Sequence, residues 1–219
     1  GTVTYTIISG SFSAGTSANS GTYTNTWTAK DICNNTSTVF TQVITIQDTT
    51  VPTWTTAANS LNVTLQCSDT AGLTAAQNQA PIASDNCGGT VTYTKISGSF
   101  SAGSCSNSGT YTNTWTAKDI CNNTSTVFTQ VITIQDNTAP TWTTAANSLN
   151  VTLQCSDTSG LTAAQNQAPV ASDNCGGTVT YTKISGSFSA GSCANSGTYT
   201  NTWTAKDVCN NTSTVFTQV

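Results

Sequence analysis

The chain has 219 residues, only 6% of them charged, and a net charge of −4; it has no His, Met, Arg or Glu, so every acid is Asp and every base is Lys. That excludes nucleic acid as a partner, since phosphates need Lys/Arg patches, and it strips out most of the side chains of general acid–base and nucleophilic catalysis, so no catalytic residue is assigned. No apolar run approaches the roughly 20 residues of a membrane-spanning helix, and no membrane insertion is expected of this segment.

The predicted elements follow in chain order on the copy that runs from 49 to 136, because the sequence repeats itself with a period of 88 residues: Gly89 returns Gly1, and DNCGGTVTYTKISGSF from Asp85 returns unchanged at Asp173. Residues 1–48 read as the C-terminal part of one copy, 49–136 as a complete copy and 137–219 as a copy truncated near its C-terminus. Leu61, Val63, Leu65 and Cys67 alternate with Asn62, Thr64 and Gln66, which predicts a half-buried strand. Leu73 to Gln79 is the one helix-like stretch, of at most two turns between Gly72 and Pro81. Thr90 to Ile96 and Thr110 to Ala117 alternate again, with Val91, Tyr93, Tyr111 and Trp115 inward and Thr outward, where its branched Cβ suits an extended backbone. Asp119 to Asn123 turns the chain, and Val127 to Ile134 returns as a final strand with Phe128, Ile132 and Ile134 on one face, completing a hairpin. The expected class is all-β, as tandem immunoglobulin-like β-sandwich domains.

Cysteines recur at four phases, 67, 87, 105 and 121, then 155, 175, 193 and 209, with Cys33 left over. Four per small domain without His or a Cys-x2-Cys knuckle read as disulfides of an oxidising compartment, not zinc. Pairing Cys105 with Cys121 would strand Cys33, because its partner position in the first copy is Ser17. Pairing Cys87 with Cys121 instead places the partner of Cys33 one residue before Gly1. The latter is favoured, with Cys67 to Cys105, and one period on Cys175 to Cys209 and Cys155 to Cys193.

Three further sets of residues invite a functional reading. In an immunoglobulin topology the linker acid Asp48 would meet Asp85 and Asp119 of the following copy, and Asp136 would meet Asp173 and Asp207, so structural Ca²⁺ at the joints is the one cofactor expected. The competing reading makes Asp85 and Asp119 caps of their own turns. Trp54 and Trp142 beside the linker prolines would pack the joint or offer a sugar platform. Asn34 and Asn35 lie in Asn-x-Ser/Thr sequons and Thr70 follows Asp69 as in an O-glycosylation signal.

The succession VTLQC, SDNCGG, TYTNTWTAKDICNNTS and TQVITIQDNTAPTW, with Trp-Thr-Ala-x-Asp-x-Cys-x-Asn ahead of an Asp-x-Thr-x-Pro linker, resembles the hyalin-like (HYR-like) repeats of giant surface proteins of Bacteroidota, SprB-type gliding adhesins among them. The resemblance spans the chain and departs from the pattern at Cys121-Asn122-Asn123, where Cys-Gly-Asn is usual; Asn tolerates the left-handed backbone that Gly would supply. It implies an immunoglobulin-like fold, export to the cell surface by type 9 secretion, and a stalk in adhesion or filament building. The partners would be neighbouring repeats, other filament chains, and a surface or glycan at the distal tip. The alternative is that each copy is itself a glycan- or ice-binding module.

Overall fold

Strands built on Thr-x-Thr alternation dominate the computed structural model, which describes residues 1–193 and 195–219. The all-β expectation holds: apart from two eight-residue helices, the regular elements among the described residues are strands. The chain divides into two compact units, one of Gly1–Leu61, Gln79–Gly98 and Thr112–Gln130, the other of Asn62–Asn78, Ser99–Tyr111 and Val131–Val219.

In the first unit the long strand Gly21–Asp31 pairs antiparallel with Val3–Ile8 and Phe12–Ala14, and with Phe40–Ile46. Thr92–Ile96 pairs with the end of Gly109–Lys118, and Thr53–Trp54 with Ala83–Ser84. Three aromatics close the core there. The Trp54 ring lies 5.3 Å from Phe128, Trp115 meets Phe128 edge-on at 6.2 Å, and the Trp54 indole donates to the Thr126 carbonyl at 2.9 Å. Trp115 is 2% exposed and Phe128 5%. Tyr93, expected inward, is half-exposed, because its ring leans over the core edge to bond its hydroxyl to the backbone N–H and C=O of Ala83.

Beneath these rings lies a polar pair that alternation alone does not announce. Asn113 and Gln130 are fully buried, and Asn113 Nδ2 donates to Gln130 Oε1 at 3.0 Å. Asn113 Oδ1 accepts from Gly98 N–H, and Gln130 Nε2 donates to the Leu61 carbonyl. A buried amide must find such partners, and here they fasten two loops to the central strands.

In the second unit Val63–Gln66 lies parallel to Ile132–Gln135. Ile132, Ile134 and Ala76 form a core with Val63, Leu65, Cys67, Leu73 and Tyr111 around it, as the period-two pattern predicts for the strands. The helix Thr70–Gln77 starts three residues ahead of its expected position. Asp69 sets the start, since its Oδ1 accepts from Gly72 N–H at 2.8 Å and so satisfies a free donor of the first turn. Gly72 leaves room for that cap, because a Cβ there would lie 2.2 Å from the Asp69 carboxylate and displace it. The next copy repeats the plan with helix Thr158–Gln165, strands Thr180–Ile184, Asn201–Lys206 and Phe216–Gln218, and Trp142 stacked 5.3 Å from Phe216.

Candidate functional site: the joint between consecutive copies

Each joint grows from an Asp that ends a strand run. Asp48 follows Phe40–Ile46 and turns the chain toward Pro52 by accepting the Thr50 N–H on Oδ1 at 3.1 Å. Asp85 does the same after Ala83–Ser84, holding Cys87 N–H on Oδ2 at 2.8 Å ahead of Gly88 and Gly89, both left-handed at φ 72° and 92°. Asp119 closes the third turn: its Oδ1 takes the Asn123 N–H, and Asn122 stands left-handed at φ 73°, as expected for Asn in place of Gly. Asn123 links turn to linker, since its Nδ2 reaches both Asp119 Oδ2 at 2.8 Å and the Asp48 carbonyl at 3.1 Å. One period later Asn211 binds Asp207 and the Asp136 carbonyl at the same distances.

A second amide works across the joint from the preceding copy. Asn19 Nδ2 donates to the carbonyls of Cys87 and Gly88, both at 3.0 Å, and its equivalent Asn107 donates to Gly176 at 3.0 Å. Neither Asn stands out in the sequence, where Asn is common in turns; recurrence at one phase is its signal.

The expected acids do converge. Oxygens of Asp136, Asp173 and Asp207 lie within 4.8 Å of one another, as do ligand atoms of Asp48, Asp85 and Cys87 at the earlier joint. Asp119 is tied to that joint through Asn123 rather than being one of this closest trio. Two like charges at such a distance repel by about 3 kcal/mol at an effective dielectric near 20, so the cluster is held against electrostatic opposition by the turns that carry it. The turn-cap reading of Asp85 and Asp119 holds alongside the convergence.

The cysteine pairing is corrected. Cys67 bonds Cys175 and Cys105 bonds Cys209, with Cα atoms 5.5 and 5.1 Å apart, so the bridges run between consecutive copies and not within one. The favoured partners Cys67 and Cys105, and likewise Cys175 and Cys209, are therefore committed elsewhere, while Cys87, Cys121, Cys155 and Cys193 are free thiols, as is Cys33. The physical reason is that the copies meet along the same turns that carry the cysteines. Ser17 is the clue: it sits 104 residues before Cys121, the separation of Cys105 from Cys209, and its hydroxyl touches the Cys121 thiol. Closing a loop of 108 residues contributes about 4 to 5 kcal/mol through lost chain entropy.

Two thiols depart from their ordinary titration. Burial first, then the Asp48 and Asp85 carboxylates beside it, push the Cys87 thiol up. The Ser196 hydroxyl, then backbone N–H groups, pull the Cys193 thiol down.

Of the other candidate residues, Trp54 and Trp142 pack inside their own copies, against Phe128 and Phe216, and not at the joint. Asn34 is exposed and left-handed; the Asn35 amide nitrogen donates to Asp31 Oδ2 at 2.9 Å, and that bond is the main reason the Asp31 carboxyl lies below its usual range. Thr70 is exposed as the first residue of its helix.

The chain is thus all-β, and its near-identical copies are joined to one another by disulfides. Within it, residues 55–134 match the family described as "HYR-like domain with 4 cysteines". No curated protein matches the chain. A likeness is found to a solved structure of Drosophila N-cadherin EC1-4, at 12% identity and a TM-score of 0.34, covering 90% of this chain and 56% of that one. The chain thus spans little more than half of that structure's length. No helix among the described residues is long and apolar enough to cross a membrane.

Proposed function

We propose that the chain is a stretch of an extracellular stalk, a structural element of a surface adhesin or filament with no catalytic role. The observation that carries this reading is the pair of bridges from Cys67 to Cys175 and from Cys105 to Cys209, each fastening one copy to the next. Bonds of that kind persist in oxidising surroundings, and they add nothing to a freely acting single domain, whereas a load-bearing array needs its joints secured. The HYR-like match over residues 55–134 supports the same reading. The resemblance to Bacteroidota surface repeats extends it to gliding adhesins exported by type 9 secretion, with neighbouring copies as the immediate partners and the target surface or glycan lying at a distal tip. The stalk is favoured over a binding module because Trp54 and Trp142, the best sugar platforms in the sequence, are stacked on their own cores.

Small-angle X-ray scattering of the oxidised chain tests the proposal. An extended particle, more flexible after reduction of the bridges, is expected; a compact particle unaffected by reduction overturns the stalk.

A further inference from the structure

At the joints, carboxylate oxygens are buried without a hydrogen-bond partner. Asp48, 8% exposed, spends Oδ1 on Thr50 N–H and leaves Oδ2 unpaired. Beside it Asp85 spends Oδ2 on Cys87 N–H and leaves Oδ1 buried and unpaired. The arrangement recurs one period on: Asp173 gives Oδ1 to Cys175 N–H and leaves Oδ2 buried and unpaired, within 4.8 Å of oxygens from Asp136 and Asp207, themselves 8% and 5% exposed. Leaving a carboxylate oxygen buried and unsatisfied is costly. Turn chemistry does not explain the same unpaired oxygen within an acidic cluster at two joints, because it uses the other oxygen each time.

We propose that each joint binds one hard divalent cation of the Ca²⁺ type, held by Asp48 and Asp85 at the first and by Asp136, Asp173 and Asp207 at the second. An all-oxygen donor set selects a hard cation over zinc or copper. At the second joint, ligands contributed by three separate segments suit the adaptable coordination shell of Ca²⁺ better than the strict octahedron of Mg²⁺, with waters completing the shell at both. At the second site sulfur takes no part, because Cys175 is consumed in a disulfide; at the first the free Cys87 thiol stands beside the two carboxylates, and a hard cation prefers their oxygens. The neighbours that face the carboxylates are the neutral amides of Asn107 and Asn211, which leave the negative charge for the ion. The inference rests on these oxygens and is independent of the stalk, since a compact particle could bind the ion as well.

Isothermal titration of CaCl₂ into the chelator-stripped, disulfide-intact chain tests it. Two saturable sites are expected, with Asp173→Asn weakening one and Asp48→Asn the other by at least tenfold, and Asp157→Asn, which caps a helix elsewhere, leaving both unchanged. Amide spectra of the unsubstituted chain provide a reading that needs no variant: Ca²⁺ should shift the N–H resonances of Thr50, Cys87, Thr138 and Cys175, which bond these carboxylates. No saturable binding at millimolar CaCl₂, or shifts confined to other residues, overturns the proposal.

Discussion

Asn113 and Gln130 carry more of the fold than their polarity suggests. Replacing Gln130 with Leu removes the acceptor for Asn113 Nδ2 and the donor to the Leu61 carbonyl, so two hydrogen bonds of the core are lost. At about 1 to 3 kcal/mol for each such loss, a loss of about 2 to 6 kcal/mol is expected in urea unfolding. Thiol reactivity should separate just as clearly. The Cys193 thiol ionises at lower pH than usual and the Cys87 thiol at higher pH, so the alkylation rate of Cys193 should rise at lower pH and that of Cys87 only at higher pH. Mass spectrometry of iodoacetamide adducts across a pH series checks the order; equal rates at every pH contradict it. Alternation does not reveal the Asn–Gln pair, because at those phases a polar residue falls on the buried face and reads as an interruption.

At the scale of the element, the strands are legible in the sequence and the helix boundary is not. Phe128, Ile132 and Ile134 share a face, as the period of two requires. The Ala-rich centre marks the helix, but its start is decided by one capping carboxylate and by a glycine that composition treats as a breaker. Asp69→Ala should therefore cost about 1 kcal/mol and speed hydrogen exchange at the Gly72 amide, while Asp69→Asn, which keeps the acceptor, should cost less. Trp54 departs from its expected place for a related reason: its position beside a proline suggests the joint, whereas pairing of Thr53–Trp54 with Ala83–Ser84 swings the indole onto Phe128.

For the whole molecule, the 88-residue period and the all-β class are open to sequence, but the disulfide connectivity is not. The phases of the cysteines are the same whether the bonds lie within copies or between them, and only the spatial meeting of two turns decides. Ser17 offers a direct check. Ser17→Cys should pair with Cys121, lowering the count of free thiols from the five of the parent to four on oxidation. A count of six would contradict the between-copy scheme at that joint.

The two bridges also overlap along the chain, one spanning 67 to 175 and the other 105 to 209. Every peptide bond between Cys67 and Cys209 therefore lies inside at least one covalent ring. A single backbone cut after Lys95, Lys118, Lys183 or Lys206 leaves both fragments tethered, and only a cut after Lys30 releases a piece. Rings that overlap in this way mean that no single break of the backbone between Cys67 and Cys209 parts the chain.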